Sequence, residues 1–286
     1  GPIVLGRAMV RDLYDGPRAG RELARMGMIM GLVPAVAPVV GGLLQNAFGW
    51  RSTFIATLLV GLAVLAVVAT IMPETIRRRS PEKLSLLAIF RGFGVLLQNP
   101  AYRVYVSLTS LAYAGLFSFI SGSSFVLIGI YGLTPPVYGL SFGCVVLGYI
   151  LGTILAQRLV GPRGLDGVIA LGVACLAGGG IAMLVCVASG FGGPLGVIVP
   201  MAVYACGVGL TMPQSQAAAM MPFPARAGAA SSFTGLCQML LSGCVGLLVG
   251  HLLKASALPL PLVMSAIGVA ALALFRASAA TRAQKR

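Results

Sequence analysis

The stretch that decides the fold is residues 104–157, which read VYVSLTSLAYAGLFSFISGSSFVLIGIYGLTPPVYGLSFGCVVLGYILGTILAQ. It contains no Asp, Glu, Lys or Arg. A helix on a water-soluble protein keeps one polar face toward solvent, whereas each bilayer crossing requires about 20 consecutive apolar residues. Because this run is long enough for two crossings, we predict two membrane-spanning helices in it.

The rest of the chain repeats this pattern. Residues 167–225 form a second long charge-free run that also suits two crossings. Apolar residues do not alternate with the period of two that an outer-membrane barrel requires. We therefore predict an all-α integral membrane protein with eight full transmembrane helices. The spans outside the two long runs are Met26–Trp50, Ser52–Pro73, Ala227–Leu253 and Ala255–Phe275.

The distribution of basic residues predicts the topology. The chain has 20 Lys and Arg residues against 6 Asp and Glu residues, a net charge of +14. If the spans alternate in direction, every basic residue except Arg51 and Lys254 falls on one side, which the positive-inside rule assigns to the cytoplasm. That side includes the C-terminus. The basic charge therefore orients the protein in membrane lipid, and we expect no nucleic-acid partner.

The longest connector divides the spans into two groups. Residues 1–72 contain the end of one helix and two full spans, 73–103 form a central cytoplasmic loop, and 104–276 contain six spans followed by a cytoplasmic tail, 277–286. Within the loop, Lys83–Gln98 predicts a helix lying on the cytoplasmic leaflet. Since the chain opens on what reads as the tail of a helix already under way, we infer a fragment of a longer protein with six spans in each group.

The first full span combines glycine and proline at short intervals. Residues 27–42 read GMIMGLVPAVAPVVGG. Glycines allow a neighbouring helix backbone to approach closely, and each proline removes a helix hydrogen bond and bends the helix. A bent, closely packed helix can seal one side of a cavity. We expect a large side chain at Gly41 to push this helix away from the neighbouring helix. The predicted gating residues are Gly27, Gly31, Pro34, Pro38, Gly41 and Gly42.

This span resembles the antiporter motif in the fifth helix of drug/proton antiporters of the major facilitator superfamily, with Ala37 in place of a glycine. Three more stretches, RAMVRDLY (7–14), FSFISGSSFV (117–126) and PARAGAASS (224–232), resemble the fourth, seventh and eleventh helices of the Bcr/CflA multidrug transporters. The resemblance implies a twelve-helix fold in the bacterial inner membrane. This chain would carry that fold from the end of its fourth helix to its C-terminus.

The resemblance also implies export of drugs or small metabolites in exchange for protons, by alternating access. All six acids lie in connectors or at span ends, so we expect the proton-binding carboxylate in a missing amino-terminal part, where the resembling family has it in the first helix. An importer or facilitator of a metabolite with the same fold stays open. A membrane-embedded enzyme is disfavoured, since no span contains an acid for its chemistry. We expect a monomer without cofactor.

Polar and aromatic residues at mid-membrane depth are candidates for contact with a small lipophilic substrate. Gln238 is the strongest candidate, because a mid-span amide facing lipid would lack hydrogen-bond partners. Methionines at positions 30, 212 and 239 would add an adaptable surface. The predicted substrate-cavity residues are Tyr113, Phe117, Phe119, Tyr149, Tyr204 and Gln238.

The remaining glycines, cysteines and the single histidine are assigned to packing or to the interface. His251 lies at the outer end of a span with no His, Cys or acid nearby in the sequence, which favours an interfacial position. The six cysteines lie in apolar runs without CxxC spacing, so we expect neither a zinc site nor a disulfide framework. The glycines predicted to form packing surfaces are Gly139, Gly143, Gly148, Gly152, Gly246 and Gly250.

The topology can be tested with single cysteines. In a cysteine-free background, an impermeant maleimide added outside the cell should label a cysteine at Thr134 and leave one at Ser80 unlabelled, because the positive-inside rule places the Arg77–Arg79 loop in the cytoplasm. Labelling of the Ser80 position alone would overturn the predicted orientation.

Overall fold

The computed structural model describes residues 36–72, 86–223, 226–253 and 256–283, and the single positions 9, 13 and 33. All regular structure in these ranges is helical. The predicted gating residues Gly27, Gly31 and Pro34 lie outside the described residues, as do Met30, Lys254 and every acid except Asp166.

The helices follow the apolar runs. The C-terminal part of the predicted first span is α1, and a π-helix, Phe125–Ile130, continues the fourth helix. In chain order the helices are α1 Val36–Phe48, α2 Arg51–Ile71, α3 Leu86–Gln98, α4 Pro100–Ser124, α5 Pro135–Ser189, α6 Leu195–Met220, α7 Ala227–Leu252, α8 Pro259–Ala277 and α9 Ala279–Ala283.

Six helices within the described ranges are long and apolar enough to cross a bilayer. One of them, α5, is interrupted at Gly164, whose φ of 66° and ψ of 174° are not helical. This break divides α5 into two segments, 135–163 and 165–189, at the polar turn where the sequence predicts a loop between two spans. The all-helical fold class is confirmed, and the total of eight spans stays a prediction.

Local sequence signals set the helix ends. Asn99 caps α4, since its side chain accepts a hydrogen bond from the Tyr102 backbone N–H at 3.2 Å, and Pro100 follows at a position where helices tolerate proline. Gly190 ends α5 in the left-handed region with φ 69°, which glycine adopts without steric cost.

The described residues belong to two compact units. The first is Gly1–Leu84 with Pro135–Gly143, and the second is Ser85–Thr134 with Cys144–Arg286. The second unit corresponds to the predicted six-span group, except that the first turns of α5 belong to the first unit and α3 of the predicted loop belongs to the second. The boundaries at 73 and 104 stay predictions.

Close backbone contacts hold the second unit together around α4, which packs against α6, α7 and α8. A methyl group added at Gly115 would overlap the Tyr204 ring, and one added at Gly152 would overlap the α6 backbone at Cys206. Because lipid supplies no hydrophobic force between helices, such close van der Waals contact is a main source of helix association. Gly148 and Gly246 also lie against neighbouring helices, whereas Gly143 and Gly250, predicted to pack, face open space.

Helix α3 packs on protein as well as carrying an exposed face. Its Phe93 ring lies 4.8 Å from the Phe233 ring of α7, and Leu96 is fully buried in a cluster with Tyr102. Val95 and Leu97 remain exposed. The sequence predicts a helix lying on the lipid leaflet. In the structure one side of that helix packs on the ends of α4 and α7, and contact of its exposed side with lipid stays a prediction.

Candidate functional site

An open cleft of about 810 Å³ lies along the C-terminal halves of α4 and α7. Phe117 and Ser121, one helical turn apart on α4, form one wall. The other wall is α7, where three glycines expose backbone and Leu247 and His251 lie one turn apart. The α7 residues that line the cleft are Gly243, Gly246, Leu247, Gly250 and His251.

Phe117 is the predicted substrate residue that the structure places in this cleft. Its ring contacts the ring of Tyr113 with centroids 6.3 Å apart, so the two aromatic residues form a continuous surface along α4. Position 246 faces Phe117 closely, since a side chain there would lie 3.0 Å from the ring. The glycine therefore leaves the aromatic ring accessible from the cleft.

Gln238 lies on α7, and its side chain faces α4, outside the lining of the cleft. Its side chain is 7% exposed, and its Nε2 donates to the Thr109 hydroxyl at a long 3.4 Å. That hydroxyl in turn donates to the Met212 carbonyl at 3.5 Å. Both distances are near the limit for hydrogen bonds, so these bonds are weak. The Gln238 amide can therefore still donate to and accept from another group. The prediction that Gln238 does not face lipid agrees with this position.

The other predicted cavity residues lie elsewhere in the second unit. Phe119 and Tyr204 are fully buried, and the Tyr204 hydroxyl points at Gly115 with no hydrogen-bond partner among the described residues. Tyr149 is half-buried on α5, and Met239 is exposed on α7. Full burial leaves no surface of Phe119 or Tyr204 for a ligand in this conformation.

Two residues of the cleft wall, Gly243 and His251, are not among the substrate-cavity residues predicted from the sequence. His251 was assigned to the membrane interface, yet it lines the cleft together with Ser121. Gly243 was not singled out. The spacing of Gly243, Gly246 and Gly250 by three and four residues places all three on one face of a helix, and this signal could have identified the wall.

In the first unit, the Gly-Gly step of the predicted gating helix makes a helix contact. A methyl group at Gly42 would lie 2.7 Å from the Pro135 carbonyl oxygen, and one at Gly139 would lie 2.7 Å from the Pro38 carbonyl oxygen. Gly41 has no atom within 4 Å of such a methyl group among the described residues. Among the described residues the close helix contact is therefore at Gly42, and we propose Gly42, in place of Gly41, as the wedge-sensitive position.

The family of this chain follows from its similarity to known protein families. The model of the Major Facilitator Superfamily matches residues 2–247. The chain belongs to the major facilitator superfamily. It is thus a multi-pass membrane protein of a transporter family, whose members are not enzymes, and the expected fold class is confirmed, whereas the number of helices stays a prediction.

Individual relatives agree with the expected Bcr/CflA resemblance. The chain is 30% identical over 93% of its length to the bicyclomycin resistance protein homolog of Haemophilus influenzae, and 26% identical over 93% to multidrug resistance protein D of Escherichia coli. It is 27% identical over 92% to the uncharacterized MFS-type transporter YdgK of Bacillus subtilis. The chain spans 65 to 66% of the length of these relatives.

Proposed function

We propose that this protein exports drugs or small metabolites across the bacterial inner membrane, as a monomer with its C-terminus in the cytoplasm, in exchange for protons. The observation that carries the proposal is the cleft between α4 and α7, in a member of a transporter family whose relatives include proteins named for bicyclomycin and multidrug resistance.

The chemistry of the cleft suits varied lipophilic molecules. Phe117, Leu247 and exposed glycine backbone offer an apolar surface, and Ser121 and His251 add two polar groups. A site with many obligatory hydrogen bonds rejects any ligand that leaves one unmet, whereas an apolar site with few polar groups tolerates differences in shape. This property favours a broad range of substrates.

Alternating access supplies the transport mechanism. In transporters built from paired bundles, a midplane site faces each side in turn as the bundles rock, and no covalent chemistry occurs. In this account the α4–α7 cleft provides one wall of the substrate path, and Tyr113 and Gln238 continue that wall inward from Phe117.

Proton exchange requires a group that changes its protonation within the membrane. Asp166, the only acid among the described residues, is paired with Arg282 and accepts a hydrogen bond from Tyr105, so we do not assign the proton to it. We propose a carboxylate outside the described ranges as the proton site.

The proposal is tested by efflux of a lipophilic dye from cells that lack their own exporters and express the complete transporter. We expect an uncoupler to abolish efflux. Phe117→Ala should raise the apparent KM about tenfold, because a lost aromatic contact is worth about 1.5 kcal/mol. Phe191→Ala is the matched control, since Phe191 is 76% exposed in the turn before α6 and away from the cleft.

Two outcomes would contradict this function. Dye uptake in place of efflux would indicate an importer or facilitator. Equal KM values for the two Phe variants at equal membrane abundance would remove the cleft from the substrate path.

The gating role of the first unit yields a second test. Gly42→Leu should lower export per molecule at least about fivefold, because the new side chain meets the Pro135 backbone and overpacking a helix contact displaces it. Gly41→Leu, one residue earlier on α1, should stay near the parent value. Export normalised to membrane abundance is the measurement, and equal losses in both variants would argue against a specific role of the Gly42 contact.

A further inference from the structure

A polar cluster joins three helices at the end of the second unit opposite the cleft. Asp166 stands two residues after Gly164, at the start of the second segment of α5. Its Oδ2 lies 3.0 Å from Arg282 Nη1, and its Oδ1 accepts a hydrogen bond from the Tyr105 hydroxyl of α4 at 2.8 Å. One carboxylate therefore links α4, α5 and the short helix α9.

The Arg282 guanidinium makes two further hydrogen bonds and a contact with an aromatic ring. Its Nη2 donates to the Phe275 carbonyl at 2.6 Å, and its Nε donates to the Ser278 hydroxyl at 3.2 Å. The guanidinium carbon lies 3.6 Å from the centroid of the Phe275 ring, and the side chain is only 6% exposed. The planar fork of arginine suits such simultaneous contacts, which a lysine could not reproduce.

This cluster can be distinguished from an ordinary surface ion pair. An exposed pair contributes little, because water screens it and two flexible side chains must be ordered. Here the Arg282 side chain is 6% exposed and the Asp166 side chain 26% exposed, so water screens the pair less than a surface pair, and removing Asp166 leaves the guanidinium without its partner, which is destabilising. Arg276, in the last turn of α8, is exposed and offers a comparison within the same segment.

The residues of this cluster lie at the ends of helices that pack against one another. Phe275 lies in the last turn of α8, and Ser278 connects α8 to α9, whose residues contact both α4 and α8. Tyr105 lies near the start of α4, which packs against α6, α7 and α8. Arg282 and Asp166 thus fasten the most central helix of the unit to two of its neighbours at one end.

We propose that Arg282, Asp166 and Tyr105 form a tail clasp that holds these ends of α4, α5 and α8 together, so that the three helices move as one rigid body. Arg282 is a positioning residue in this role, and residues 278–283 act as a functional part of the bundle. The consequence for export rests on the proposed function, since rocking transmits motion only through a bundle that does not open locally.

Thiol labelling tests the clasp without any transport measurement. In a cysteine-free version of the complete transporter, Leu108→Cys reports on the clasp end, because Leu108 is fully buried on α4 one turn beyond Tyr105. Val197→Cys reports on the opposite end, because Val197 is 1% exposed near the start of α6. Arg282→Leu should raise N-ethylmaleimide labelling of the first reporter at least about tenfold and leave the second unchanged, since labelling of a buried thiol requires local opening.

Matched variants identify the ion pair as the cause. Arg276→Leu should change neither reporter. Combining Asp166→Asn with Arg282→Leu should label no faster than Arg282→Leu alone, because the two side chains act as one unit and their effects are not additive. Additive effects, an unchanged Leu108 reporter, or an equal rise at both reporters would overturn the clasp, the last because it indicates general unfolding.

Transport kinetics can test the clasp separately from the proposed export function. In the efflux assay, Arg282→Leu should lower the maximal rate per molecule while the apparent KM stays within about twofold, because the clasp lies away from the cleft. A parent protein that exports nothing would contradict the proposed function, and the labelling result would still decide the clasp. Full maximal rate in Arg282→Leu, together with faster labelling of Leu108→Cys, would show that local rigidity does not govern transport.

Discussion

The structure depends on one constraint: inside lipid, every backbone N–H and C=O must find its partner within the protein. Helices satisfy this requirement in each segment separately, so the remaining interactions need only bring helices together. In the second unit, small residues provide that contact. Gly115 accommodates Tyr204, and Gly152 lies directly against the α6 backbone. The same residue type that allows close packing within the bundle also exposes the α7 backbone in the cleft at Gly243 and Gly250, where no described atom lies within 4 Å of an added methyl group.

The spans could be predicted from sequence because the absence of charge over long runs is a strong physical signal. The break at Gly164 was also predictable, since the charged residues Arg163 and Asp166 flank it. The docking of α3 on α4 and α7 could not be predicted from the sequence. A helix with an apolar face suits a lipid surface and a protein surface equally, and only the fold shows that Phe93 meets Phe233. Adjacent positions such as Gly41 and Gly42 likewise look alike in the sequence, and only the fold shows that, among the described residues, Gly42 is the one that meets a neighbouring backbone.

The candidate site was predictable only in part, for a related reason. Aromatic residues on membrane helices pack inward, line cavities or face lipid, and their spacing does not separate these roles. Phe117 lies in the cleft, whereas Phe119, two residues later, is fully buried. His251 was placed at the interface because no partner stood near it in the sequence, but its neighbour across the cleft is Ser121 on another helix. We therefore propose separate roles for two regions of the second unit: the largely apolar cleft offers a surface to a ligand, and the polar tail clasp stabilises the opposite end.

The central claim is that the α4–α7 cleft forms part of the substrate path, and protection of a cysteine by substrate tests it most directly. Gly243→Cys suits this measurement, because the position lines the cleft and has open space for a side chain. Gly178→Cys is the control, on an exposed, open position of α5 away from the cleft. We expect a saturating exported dye to slow maleimide labelling at position 243 at least about threefold and to leave labelling at position 178 unchanged. Equal labelling rates at position 243 with and without dye, in a variant that still exports, would contradict it.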